Sequence, residues 1–296
     1  MADSKFHAFD RGDTTYTSND LSIGVSVFVP KSVGKGQTLP VLIRWHGGAL
    51  INGGRVYEPW FPRWIIELAA LHSAIIVAPD YRLLPESSGL DILSDLHNFY
   101  SWLHGHLGSF VRTSFPEQTS TPDLSNILIT GESAGGYMAV QSTLLGETKG
   151  VKAVIAHYPM IDLKDSWYSK PGRKVIWGQP PPSYPDGWLD QQLEIAKSAK
   201  PTTERIPKDG EPDLFVASLL EGRYTEILGT DTRLFPLEKL RSLQQRDGTL
   251  KFVRDARGGV KETIVPGAEH GFDNDSVTLE TDWVMEGRKW LKMYWP

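Results

Sequence analysis

Three features of the chain predict an α/β fold with a mostly parallel central sheet. Short apolar runs such as Ala74-Ile75-Ile76-Val77-Ala78-Pro79 and Asn126-Ile127-Leu128-Ile129-Thr130 suit strands covered on both faces. Segments with helical spacing separate such runs, and strand–helix alternation builds parallel sheets. The third feature is Gly131-Glu132-Ser133-Ala134-Gly135-Gly136, where the second of these runs gives way to a helical pattern.

Taken in order, residues 1–20 are polar and read as a loose arm or the start of a cap. Leu21 to Pro30 reads as a strand, Lys31 to Pro40 as a Gly/Lys-rich turn, and Val41 to His46 as a second strand ending in Gly47-Gly48-Ala49. Pro59 to Leu71 fits an amphipathic helix, with Trp60, Trp64, Ile65, Leu68 and Leu71 recurring on one side. Ala74–Pro79 is the next strand and Asp91–Leu103 the next helix. The strand Asn126–Thr130 follows, then a helix from Tyr137 to Leu145 and a strand Val151–Ala156. From Asp162 to Thr232, prolines such as Pro180, Pro185, Pro201 and Pro212 break the pattern. That stretch reads as an inserted cap of short helices and loops within a single domain spanning 1–296. Its aromatics Trp167, Tyr168, Trp177, Tyr184 and Trp188 suit the wall of an apolar pocket or the glue of the insert equally well. Leu237–Leu243 reads as a helix, Leu250–Asp255 as a strand, Val260–Val265 as a last strand, and Val277–Tyr294 as a closing helix.

Composition narrows the class. A chain of 296 residues with 40% hydrophobic and 23% charged residues is ordinary for a soluble globular protein. A net charge of −5 gives no basic face for nucleic acid or anionic lipid. The chain has no cysteine, so disulfides, thiolate metal sites and a cysteine nucleophile are excluded together. Met1 to His7 lacks the apolar core of a secretory signal, and no run reaches the ~20 apolar residues that span a bilayer. A cytoplasmic enzyme without metal or cofactor is expected, and the sequence leaves a homodimer open. No His/Asp/Glu cluster has metal-ligand spacing, and neither a G-x-G-x-x-G turn nor a phosphate-binding lysine loop occurs.

The chemistry centres on Ser133. A serine between glycines at a strand-to-helix turn follows the pattern G-x-S-x-G, in which tight backbone geometry projects the hydroxyl clear of the sheet. The helix beginning beneath it aims amide donors at the site. A serine hydroxyl needs a base to take its proton and donors to hold the resulting oxyanion. The amides of Gly47, Gly48 and Ala134 supply the donors in this reading, with His46 anchoring the loop. The base belongs on the loop after the last strand, where Pro266-Gly267-Ala268-Glu269-His270-Gly271-Phe272 lies. His270 is the candidate. His97, His104 and His106 read as solvated, and His157 as a core residue that could border the pocket.

His46-Gly47-Gly48, Tyr81-Arg82-Leu83-Leu84-Pro85-Glu86, Gly131–Gly136 and His270-Gly271-Phe272 together resemble the hormone-sensitive-lipase-like branch of the α/β-hydrolase fold, in the right order along nearly the whole chain. The resemblance implies a mostly parallel sheet flanked by helices, with a helical cap built from about 1–20 and 162–232. It implies a carboxylesterase acting on a small-molecule ester, and a supporting role for Tyr81–Glu86. The chain is similar in particular to fungal members associated with biosynthesis, which implies a polyketide-like ester, lactone or thioester as substrate.

One part of the pattern is missing. In such relatives a strand, an acidic residue and a helix precede the histidine strand. Here only Gln244 to Lys261 separate Leu243 from that strand, and the four residues after Asp255 suit a hairpin rather than a parallel crossover. If Thr249–Asp255 pairs antiparallel with Val260–Val265, Asp255 lies at the end opposite His270 and Asp247 lies on the site side. If Leu250–Asp255 is not a strand, Asp255 is the nearest substitute. Asp231 and Glu226 from the insert, and Asp273 just past the base, are outer candidates. Without a normally placed acid, a sluggish hydrolase, or a cyclase-type catalyst or ligand binder on the same scaffold, is the alternative.

Overall fold

The computed structural model describes residues 4–176, 180, 182–208, 210–240, 261–268 and 270–295. Among the described residues, six strands form one sheet: β1 (Phe9–Ser18), β2 (Leu21–Pro30), β3 (Thr38–Trp45), β4 (Ile75–Pro79), β5 (Thr121–Glu132) and β6 (Val151–His157). Their spatial order is β1-β2-β4-β3-β5-β6. β3 runs parallel to β4 and β5, and β5 parallel to β6, while the β1–β2 hairpin adds an antiparallel edge.

The apolar runs become strands because helices cover both faces. Every residue of β4 is buried. On one face lie α1 (Arg63–Leu71) and the closing helix α8 (Asp282–Leu291), packed through Trp64, Ile65, Leu68, Val284 and Leu291. The other face carries α2 (Gly89–Ser114) and α3 (Ala134–Leu144), through Leu96, Phe99, Tyr137 and Met138. α2 begins two residues earlier than its apolar spacing suggests, because Ser88 and Asp91 form a reciprocal capping box. Between β6 and the helical turn at 236–240 come the short helices α4 (Ser166–Ser169), α5 (Trp188–Ala196), α6 (Leu214–Leu220) and α7 (Tyr224–Leu228).

Two expectations are corrected. Residues 9–18, read as part of a polar arm or cap, form β1 and pair with β2 in full register from Phe9↔Pro30 to Ser18↔Leu21. The two-residue turn Asn19-Asp20 takes positive φ at both positions (47° and 64°), the geometry that suits the twist of a tight hairpin. The sequence signal was the Asn-Asp pair; the polar composition of an edge strand hid the alternation. Of the last strand expected at Val260–Val265, the described residues 261–265 are irregular and largely exposed, with Ile264 at 78%. A strand needs a ladder partner, and among the described residues β6 ends the sheet. Val260, the expected strand Leu250–Asp255 and the carboxylates Asp247 and Asp255 lie outside the described residues.

Candidate active site

Parallel strands bring the candidate residues together at the carboxyl ends of β3, β5 and β6, where α/β sheets present their sites. Ser133 stands between β5 and α3 with φ 55° and ψ −113°, a left-handed conformation costly for a residue with a side chain. The fold locks it there. Its amide donates to the His157 carbonyl at 2.9 Å, and its carbonyl accepts from the Tyr137 and Met160 amides. The flanking glycines answer to close approach: a Cβ on Gly131 would fall 2.2 Å from the Gly135 oxygen, and one on Gly135 would fall 2.0 Å from the Trp45 oxygen.

Glu132 is buried and held by Arg44, with Nη2 to Oε2 at 2.8 Å and Nε to Oε1 at 3.2 Å. Burial pushes the Glu132 pKa up and the Arg44 charge opposes it. Arg44 also donates to the Trp60 carbonyl at 2.8 Å and lies over the Phe61 ring at 4.3 Å. This pair ties β3 to the last residue of β5, directly before the serine.

In the loop after β3, every carbonyl from His46 to Ile51 has a donor. The Tyr81 hydroxyl donates to the His46 oxygen at 2.8 Å, His46 Nδ1 to Gly47, and the Ile51 and Asn52 amides to Gly48. The Tyr224 hydroxyl donates to Ala49 at 2.9 Å, the Leu84 amide to Leu50, and Arg205 Nη1 to Ile51. Among the described residues, no backbone carbonyl accepts from the amides of Gly47, Gly48 or Ala134. Gly48 needs its glycine, because φ is +111° and a Cβ would lie 2.1 Å from the Asn52 oxygen.

His46 acts structurally, as expected. It is buried against the Tyr81 ring (centroids 4.3 Å, 10° apart), and burial pushes its pKa down to about 3, so it stays neutral. Tyr81–Glu86 supports this loop: Arg82 bonds Asp95 of α2 through its backbone amide, Nε and Nη2, and Glu86 pairs with Arg205 at 2.6 Å.

His270 and Ser133 border one cavity of about 290 Å³, together with Gly47, Gly48, Trp60 and Tyr158. The His270 ring is surface-exposed on one side and rests on the Tyr158 ring, centroids 4.6 Å apart. The protein packed round the ring pushes its pKa below the ordinary 6.5, while the Asp273 charge works the other way.

How Asp273 is held is not evident from the sequence. It is 1% exposed and accepts from Tyr158 Oη at 2.6 Å, His157 Nδ1 at 2.7 Å and Trp64 Nε1 at 3.1 Å. Burial alone would raise its pKa; the His157, Tyr158 and Trp64 bonds outweigh it and hold the carboxyl at about 2. His157 stacks on Trp64 at 4.9 Å and meets Thr130 Oγ1 through Nε2 at 3.2 Å. The available signals were His157 at a strand end and an acid three residues beyond the base. Asp231 and Glu226 are bonded to Arg233 and Arg223, and neither borders the cavity. Among the described residues, none of the carboxylates is hydrogen-bonded to His270.

Comparison with known proteins agrees with this architecture. The profile of the alpha/beta hydrolase fold family matches residues 42–190. A Phoma protein described as "Probable carboxylesterase M8" is 32% identical, covering 99% of this chain and 98% of its own. "Probable carboxylesterase clz11" from Cochliobolus lunatus is 34% identical over 55% of this chain and 75% of its own. Among solved structures, a Staphylococcus aureus protein of unknown function shares the fold, with a TM-score of 0.51 at 16% identity, over 76% of this chain and 70% of that one. The chain belongs to the α/β-hydrolase fold family, in its hormone-sensitive-lipase-like branch.

Proposed function

We propose that this protein is a serine carboxylesterase that cleaves a small, largely apolar ester, lactone or thioester through an acyl-enzyme. The observation that carries the reading is the strained Ser133 facing the same cavity as His270 and the glycine loop. Ser133 Oγ attacks the carbonyl carbon, and His270 takes its proton and returns it to the leaving group. The amides of Gly47, Gly48 and Ala134 stabilise the oxyanion, and water activated by His270 releases the acyl group. Asp255 or Asp247 is proposed to orient the imidazole. The segment from Asp162 to Thr232 serves as the cap, within one domain in the cytoplasm. The two fungal relatives, both described as carboxylesterases, support the reaction class. A polyketide-derived substrate is proposed from the resemblance of the sequence motifs to biosynthesis-associated members of the family.

A second reading has one observation in its favour: no described carboxylate is bonded to His270. Loss of the orienting acid alone lowers turnover by about 10⁴ in a serine protease, so a weak hydrolase, a cyclase-type catalyst or a ligand binder is the rival. Hydrolysis of p-nitrophenyl acetate and butyrate separates them. Ser133→Ala and His270→Ala are each expected to abolish turnover above background. Unchanged activity in both would defeat the hydrolase reading.

A further inference from the structure

The cavity that holds Ser133 and His270 has a polar corner that ester cleavage itself does not use. Trp60, Tyr158, Pro207 and Phe215 make much of its wall aromatic or apolar. Into that wall come Asn52, from the segment following the glycine loop, and Asp213, the residue capping α6. Asn52 Nδ2 donates to Asp213 Oδ2 at 3.0 Å, and the Val216 amide donates to Asp213 Oδ1 at 3.1 Å. With the Phe215 amide also directed at the carboxylate, Asp213 has three donors where its two oxygens can accept about four. Asn52 keeps a second amide hydrogen and its carbonyl oxygen.

Both groups are fixed relative to the reacting centre. The Asn52 amide donates to the Gly48 carbonyl at 2.7 Å, so its position is tied to the loop that would hold the oxyanion. The Asp213 carbonyl accepts from the Tyr184 hydroxyl at 2.9 Å. Burial pushes the Asp213 pKa up, with the Val216, Phe215 and Asn52 bonds and the Arg205 charge opposing it. The other carboxylate on the cavity, Glu132, is already matched by Arg44.

We infer that Asn52 and Asp213 form a subsite that recognises a hydroxyl group on the substrate ester and disfavours esters carrying a carboxylate. A hydroxyl can donate to Asp213 while accepting from Asn52, whereas a second carboxylate would meet a like charge in an apolar wall. The inference rests on the esterase reading of Ser133 and His270 and narrows its substrate class to hydroxylated neutral esters.

The test compares p-nitrophenyl phenylacetate with its 3-hydroxy and 4-hydroxy analogues, and p-nitrophenyl 5-methylhexanoate with the hydrogen glutarate. At least one hydroxy ester should exceed phenylacetate in kcat/KM by about tenfold, the size of one hydrogen bond to a charged acceptor. The glutarate should be the poorer of its pair. Asp213→Ser keeps a side-chain cap on α6 but withdraws the carboxylate. It should bring the hydroxyl ratio near one and improve the glutarate relative to its partner. Asn52→Ala leaves the cap intact and should lower the same hydroxyl ratio if Asp213→Ser does not fold. Absence of the preference in the parent protein, or its survival in both variants, overturns the inference. Calorimetric titration of Ser133→Ala with N-methyl 4-hydroxyphenylacetamide, its 3-hydroxy isomer and N-methyl phenylacetamide reads the subsite without turnover. Tighter binding of either hydroxy amide supports it and equal binding of all three overturns it, whatever becomes of the esterase reading.

Discussion

At the residue scale, Asp273 shows how a buried charge is kept. Three donors surround it, and its pKa lies at about 2 against an ordinary 3.8. A depressed carboxyl pKa adds stability above the unfolded value, and that stability drains away as pH falls through the folded value. The window is therefore from about pH 4 down to about pH 2, and the contribution is roughly 2 kcal/mol, at about 1.4 kcal/mol per unit. Urea unfolding of the parent protein and of Asp273→Asn across that range should show the parent losing about 2 kcal/mol more than the variant. Parallel curves would show that Asp273 is not the group responsible. Ser133, His270 and the glycines were legible from the sequence because the turn patterns that demand them are local. The bonding of Asp273 was not, because its donors Trp64, His157 and Tyr158 meet it only through tertiary packing.

Among the elements, the loop after β3 is set from outside itself. Tyr224 on α7 reaches across to the Ala49 carbonyl, and Tyr81 reaches the His46 carbonyl. Tyr224→Phe removes the first bond with little change of shape. It should cost about 1 kcal/mol of stability and, on the proposal that the Gly47 and Gly48 amides hold an oxyanion, lower kcat about tenfold with little change in KM, because a small misplacement of such donors acts on the transition state. Steady-state kinetics with p-nitrophenyl butyrate checks this; an effect confined to KM would assign the Tyr224 bond to substrate binding instead. Strands β2 and β4 were readable as apolar runs because most or all of their residues are buried. β1 was not, because an edge strand buries few of its side chains: Phe9, Tyr16 and Ser18 face inward among Asp10, Asp13 and three threonines.

The whole molecule joins sheet and insert through one core. Phe215, Leu219 and Tyr224 of the insert belong to the same buried cluster as Trp45, Phe99 and Tyr137 beneath them. A shared core melts together. Scanning calorimetry should give one transition whose calorimetric and van't Hoff enthalpies agree; an early transition abolished by deleting 186–228 would instead make the insert an independent unit.

If Ser133 is an activated nucleophile, covalent labelling by a fluorophosphonate followed by intact-mass measurement detects it. A single adduct is expected, mapped to the peptide containing Ser133, lost in Ser133→Ala and formed far more slowly in His270→Ala. An unmodified mass after prolonged exposure, or an adduct that persists in Ser133→Ala, would contradict it.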